Sequence, residues 1–178
     1  MVGCHRRFYP GMAARSRREM NSVFDLLESD HKEINDLLHR AREVIFLSDR
    51  EYVYAAVDMV WARLAVHIRA EHIRLFPALI GAGADEKILD GLRNDHASFM
   101  NALGQVIKNL TGDPVGKIES GEMILAILDN VESRLLEHNE LEERLIYPIT
   151  LCFEKADAIR LYEEIKRELD NIPPRFKR

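Results

Sequence analysis

The sequence predicts an all-α protein: an up-down-up-down four-helix bundle with an additional C-terminal helix. Apolar residues recur every three or four positions over long stretches, no segment shows the alternation typical of strands, and short Gly-, Pro- or Asp-containing loops separate the stretches. Four long helices joined by short loops favour antiparallel neighbours. The first and second helical pairs look like a duplicated hairpin.

Composition and charge exclude several function classes. The 178 residues carry a net charge of −5, although residues 1–20 hold five arginines against one glutamate. The acidic remainder argues against nucleic acid as a partner, and the longest apolar runs are too short to span a membrane. Cys4 and Cys152 form no CxxC pair, so we expect a reducing, cytoplasmic location.

We predict three parts of the chain: a basic, disordered leader over 1–20, the bundle over 21–152, and a C-terminal helix with a basic tail over 153–178. The first helix is expected from Ser22 to Leu47.

The second helix should start at the capping-box pattern Ser48-Asp-Arg-Glu51, be kinked by Pro77 and end at Gly81-Ala-Gly83. Asp85 should cap the third helix, which we expect to end at Leu110.

Asp113 and Pro114 should start the fourth helix, which Pro148 should kink. The last helix is expected from Glu154 to Leu169, with Pro173-Pro174 as its stop.

Each bundle helix has an inner stripe in which histidine or glutamate interrupts the apolar residues. The four stripes are Leu27, His31, Ile34, Leu38, Ala41 and Ile45; Val53, Val57, Val60, Leu64, His67, Glu71 and Leu75; Leu89, Leu92, His96, Phe99, Leu103 and Val106; and Ile124, Leu128, Val131, Leu135, His138, Glu142 and Leu145.

The same pattern of histidine, glutamate and aspartate residues occurs twice along the chain. Glu71 follows His67 by four residues and Glu142 follows His138 by four, so each pair shares one helix face. Asp30-His31 and Asp95-His96 precede the two pairs.

Four histidines and two glutamates on inward faces would destabilise the bundle unless something satisfied them. A lone buried histidine is more often a hydrogen-bonded core residue, and a lone His-x-x-x-Glu pair is more often a surface ion pair. Six such residues in a repeated pattern instead favour a metal site, because imidazole and carboxylate together bind transition metals well. Two ions bridged by Glu71 and Glu142, each with two histidines, would balance charge and donors.

These motifs, with Leu-Phe-Pro77 and Tyr-Pro148, resemble the hemerythrin-like, or HHE cation-binding, family over about residues 25–150. The resemblance implies a four-helix bundle around two non-haem iron ions, an oxo- or hydroxo-bridged di-iron centre. It also implies that the terminal ligands are His31, His67, His96 and His138 and that the bridging carboxylates are Glu71 and Glu142.

The sequence departs from the oxygen-carrying members of that family. Where they have a second histidine one turn after the third-helix ligand, this chain has Met100. Their fourth-helix bridge is an aspartate five residues after the histidine, whereas Glu142 lies at four residues and Glu143 at five. One iron should therefore have an open or water-filled position, where oxygen, peroxide or nitric oxide would react.

His72 and His39 are expected mainly at the surface. For His72, a role as an extra ligand or as a group orienting one is the alternative, since it points about 140° from His67.

Asp30 and Asp95 are expected to be solvated, with orientation of neighbouring groups as the alternative, and Glu143 to be solvated or a neighbour of a ligand. Tyr147 and Tyr162 are candidates for lying near the metals, but the sequence does not place them.

Three functions follow from these expectations. The first is a redox-active di-iron protein that handles oxygen, peroxide or nitric oxide. The second is a metal-responsive binding or sensing module that reports iron or oxygen status without turnover. The third, which the intact ligand set disfavours, is a structural or zinc-binding bundle. Whether the protein is an enzyme stays open, and Trp61, Phe46 and Tyr54 outside the stripes allow a homodimer.

Overall fold

The computed structural model describes residues 22–47, 49–112 and 121–176. These residues form six α-helices and no strand: α1 (Val23–Val44), α2 (Arg50–Ala70), α3 (Phe76–Gly81), α4 (Glu86–Thr111), α5 (Gly121–Leu141) and α6 (Lys155–Leu169). Two π-helical turns, Glu71–Leu75 and Glu142–Ile146, follow α2 and α5, and the second continues into a 3₁₀ helix, Tyr147–Cys152. The leader, Ser48, Asp113 and Pro114 lie outside the described residues.

The four long helices close into a bundle. Helix α1 packs against α2, α2 against α4, α4 against α5, and α5 against α1. The prediction of an all-helical bundle with an additional C-terminal helix is confirmed. Among the described residues, no helix combines the length and the apolar character needed to cross a membrane.

The core has two apolar ends with a polar layer between them. In α1, Leu27 belongs to one cluster and Ile34 to the other, and His31 lies between them. In α2, Leu64 and Ala70 flank His67 in the same way. The bundle therefore excludes water from its centre by apolar packing on both sides.

The helix starts show regular capping chemistry. Ser22 forms a capping box with Asp25, and Asp85 caps α4. The capping box predicted from Ser48 begins outside the described residues, and the N-cap that the structure gives for α2 is Asp49, whose side chain accepts a hydrogen bond from the Tyr52 N–H. Aspartate is as good a cap as serine, and its charge adds a favourable interaction with the helix dipole.

The predicted kinks at Pro77 and Pro148 take the form of π-helical turns directly before each proline. The Phe76 N–H donates to the Glu71 carbonyl, and the Tyr147 N–H donates to the Glu142 carbonyl. A proline ring clashes with the carbonyl four residues earlier in an α-helix, and the wider turn relieves that clash.

One core prediction is wrong near the second π turn. Leu145 was expected on the buried stripe, but its side chain is 44% exposed, and Ile146 is buried instead. Ile146 follows Glu142 by four residues, as the buried Leu75 follows Glu71, so the inward position lies at a spacing of four rather than three.

Helix α6 packs against α1, α2 and the first π turn. Its buried face consists of Leu161, Ile165 and Leu169. Glu168 accepts hydrogen bonds from Arg69 and Arg74, which tie the helix to the bundle. The helix therefore covers one end of the bundle.

If this packing stabilises the bundle, Ile165→Ala should lower the free energy of unfolding by about 2–5 kcal/mol, because Ile165 is fully buried. Ile159→Ala is the matched control in the same helix. Ile159 is 55% exposed, so its loss should cost about 0.5 kcal/mol or less. Urea unfolding of both variants measures the difference, and equal costs would contradict the docked position of α6.

Candidate metal centre

The polar layer in the middle of the bundle is one buried cluster. Its six residues are at most 3% exposed and are His31, His67, Glu71, His96, His138 and Glu142. The structure thus brings together all six residues that the sequence singled out as ligands.

The cluster divides into two halves. We call site A the set of His31 and His67 with Glu71 Oε1 and Glu142 Oε2, whose ligand-type atoms all lie within 4.8 Å of one another. We call site B the set of His96 and His138 with Glu71 Oε2 and Glu142 Oε1.

Each glutamate turns one oxygen to each site. Glu71 Oε1 lies 3.6 Å from His67 Nε2, and Glu71 Oε2 lies 3.3 Å from His96 Nε2. Glu142 Oε2 lies 3.4 Å from His31 Nε2, and Glu142 Oε1 lies 3.3 Å from His138 Nε2. Each of the two carboxyl groups therefore lies between histidines of both sites.

Two aspartates contact the Nδ1 atoms of His67 and His138, on the side of each ring that faces away from the centre of the cluster. His67 Nδ1 lies 2.8 Å from Asp30, which also pairs with Arg63. His138 Nδ1 lies 3.5 Å from Asp95. The expectation that the aspartates are solvated was wrong for Asp30, which is buried against the neighbouring helix, whereas the Asp95 side chain is 38% exposed. Such contacts fix the ring orientation and the tautomer of a ligand histidine.

The other two histidines are each contacted by the residue that follows one of the glutamates. Glu143 lies 2.8 Å from His31 Nδ1, and His72 Nε2 lies 2.9 Å from His96 Nδ1. For His72 the structure favours the orienting alternative over a purely surface role. His39 is exposed, as predicted.

Tyr147 is the site residue that the sequence did not place. Its hydroxyl donates to Glu71 Oε1 at 2.8 Å, and it also lies 2.9 Å from His31 Nε2 and 3.1 Å from Glu142 Oε2. Tyr162, in α6, packs against the apolar cluster instead. The signal for Tyr147 was its position before Pro148, since a π turn there brings the residue five after Glu142 onto the inner face.

The pKa values of the two central carboxyl groups are shifted in opposite directions. Burial and the negative charge of Glu142 raise the pKa of Glu71 well above its usual range. Burial would also raise the pKa of Glu142, but the neighbouring His138 and His31 rings outweigh it and hold that pKa well below its usual range. The polypeptide therefore favours the ionised form at Glu142 more than at Glu71.

The pKa values of the histidines are also shifted in opposite directions. Burial would lower the pKa of His31, but its contacts with Glu142 and Glu143 outweigh burial and raise it. Burial lowers the pKa of His67 well below its usual value and that of His96 to about 2. Two rings are thus held neutral, the form in which imidazole binds a metal.

Four ligand-type atoms are buried without a hydrogen-bond partner among the described residues. They belong to site B: Glu71 Oε2, Glu142 Oε1, His96 Nε2 and His138 Nε2. An unsatisfied buried polar atom costs about 1–3 kcal/mol. His96, His138 and Glu142 offer ligand-type atoms within 4.8 Å of one another, a spacing that fits a bound cation, and Glu71 Oε2 lies 3.3 Å from His96 Nε2. Two nitrogens and two carboxylate oxygens suit a divalent transition metal.

The fold and the cluster define a four-helix bundle with a buried histidine and carboxylate cluster of the kind that binds metal ions. More specifically, the chain belongs to the hemerythrin HHE cation binding domain family, whose model matches residues 8–150. No match was found among curated proteins or solved structures. The matched range begins within residues 1–20, and the division of the chain into leader, bundle and tail stays a prediction.

If Asp30 orients His67, Asp30→Asn should weaken metal binding by about 10–100-fold, because the amide cannot replace the carboxylate as acceptor from both His67 and Arg63. Asp36→Asn, an exposed change in the same helix, is the control. Competition with a chelator of known affinity measures both variants. Equal affinities would show that the Asp30 contact does not act on the metal.

Proposed function

We propose that this chain holds two non-haem iron ions, one in site A and one in site B, and that the centre reacts with or senses oxygen, peroxide or nitric oxide. The observation that carries the proposal is the sharing of Glu71 and Glu142, each with one oxygen toward each pair of histidines. A pair of sites joined by two carboxylates suits a pair of ions better than a single ion.

The polypeptide contributes orientation, charge and the exclusion of water. Asp30 and Glu143 fix the rings of His67 and His31, so the inner nitrogens face the centre. The apolar clusters on both sides keep the centre dry, which strengthens charge interactions within it. Iron bound there would supply a Lewis acid and a redox couple.

The reactant is proposed to be a small diatomic molecule or peroxide. Met100, one turn after His96, packs against the apolar cluster and offers site B no nitrogen ligand. This supports an exchangeable position on the metal of site B.

A cytoplasmic location belongs to the same proposal and rests on the two cysteines, which form no CxxC pair. A homodimer stays a prediction. Trp61 and Tyr54 are partly buried against the apolar cluster, and Phe46 is 62% exposed.

The ligand assignment predicts that His67→Ala and Glu142→Ala each lower the iron content of the purified protein and remove the metal-dependent increase in melting temperature. His39→Ala should change neither, because His39 lies on the outer face of α1. Metal analysis and thermal unfolding measure the effects. Wild-type iron content in both ligand variants would refute the assignment.

The reactivity proposal predicts a change in the optical spectrum when peroxide or nitric oxide is added to the anaerobically reduced iron form. The reason is the exchangeable position at site B. An optical spectrum that neither reagent changes would contradict the proposed redox function.

In that case the alternative, a metal-responsive binding or sensing module, would remain. It is favoured by the fully buried Glu71 and Glu142, whose burial ties the stability of the bundle to metal occupancy. A large metal-dependent shift in melting temperature without turnover would support this alternative.

A further inference from the structure

We infer that Tyr147 binds the metal ion of site A through its phenolic oxygen and so leaves site B as the position for exogenous small molecules. The inference rests on the proposed function, because it concerns the same pair of sites. It assigns a seventh ligand and says which of the two metals reacts.

The phenolic oxygen of Tyr147 has the distances to site A atoms that a metal ligand needs. The phenolic oxygen lies 2.9 Å from His31 Nε2, 2.8 Å from Glu71 Oε1 and 3.1 Å from Glu142 Oε2. Bonds from a metal to nitrogen or oxygen are about 2.0–2.2 Å long, so ligand atoms in neighbouring positions are about 3 Å apart. The oxygen therefore has the spacing to three site A atoms that another ligand of the same ion would have.

The Tyr147 ring is fixed in place by its neighbours. Tyr147 is fully buried, its ring stacks on His31 with the centroids 5.5 Å apart, and it forms a T-shaped pair with the Phe24 ring with the centroids 6.0 Å apart. A ligand whose side chain is held by packing loses little conformational entropy when the metal binds.

The other half of the repeat has a phenylalanine at the position that corresponds to Tyr147. Phe76 follows Glu71 by five residues, as Tyr147 follows Glu142. The Phe76 ring stacks on His96 at 6.2 Å, as the Tyr147 ring stacks on His31. The two halves therefore place an aromatic ring at the same point, but only the ring at site A carries an oxygen.

The consequence is an unequal pair of metals. The metal of site A would have two histidines, two carboxylate oxygens and the Tyr147 phenolate as ligands. The phenol releases its proton when the metal binds. Site B has two histidines and two carboxylate oxygens, and the atoms that would face its ion are the four without hydrogen-bond partners. An exogenous ligand is thus directed to site B.

The test is spectroscopic and uses the full chain loaded with ferric iron. A tyrosine bound to Fe(III) gives a visible charge-transfer band, and resonance Raman excitation in that band shows phenolate vibrations that shift when ring-deuterated tyrosine is incorporated. We expect both in the wild type. This measurement needs no variant, so it does not depend on whether a variant folds.

Tyr147→Phe should lose the band while its iron content stays at the wild-type value, because the other ligands remain and Phe is the residue used at site B. Tyr162→Phe, which removes a hydroxyl outside the centre, should keep the band. Wild-type protein with about two irons and no phenolate vibrations would overturn the inference alone. Failure to bind iron at all would overturn the proposed function together with it.

Azide tests the second half of the inference. The ferric wild type should bind about one azide per chain, and Tyr147→Phe should bind about two, because removing the phenolate opens a position at site A. Equal azide stoichiometry in the two proteins would show that Tyr147 does not close site A.

Discussion

The structure depends on two fully buried carboxyl groups at the centre of the bundle. Glu71 and Glu142 have no exposed surface, and moving such groups out of water is costly unless their charge and lone pairs are matched. The polypeptide matches them in part, through His31 and through the Tyr147 hydroxyl. The remaining atoms, which have no hydrogen-bond partner among the described residues, lie at site B.

The repeat in the chain builds both sites from one plan, and the halves interlock. The aspartate before the first histidine of each half holds the second histidine of the same half. The residue after each glutamate reaches into the other half, so Glu143 holds His31 and His72 holds His96. Neither hairpin can therefore orient its own histidines alone. The repeat is broken where His72 replaces a glutamate and Phe76 replaces a tyrosine, and those two differences make the sites unequal.

Periodicity was enough to predict the helices, the polar layer and the six central residues, because a buried polar side chain in an apolar stripe is visible in the sequence. It failed where the backbone leaves α-helical geometry. Counting 100° per residue leaves Tyr147 off the stripe, whereas the structure buries it. The choice of Leu145 was wrong for a simpler reason, because Ile146, four residues after Glu142, is the buried residue. The helix position of Asp30 predicts solvation, whereas its carboxylate contacts His67 on the neighbouring helix.

The π turns connect this local irregularity to the chemistry of the centre. In an α-helix the residue five after a glutamate points about 140° away from it, so an aromatic ring at Tyr147 would face outward. The i→i+5 hydrogen bond from Tyr147 to Glu142 widens the helix and turns the ring inward. Pro148 cannot donate the next bond of that ladder, so the widening ends there. One inserted residue, fixed in place by a proline, thus places a phenol beside the two buried carboxyl groups.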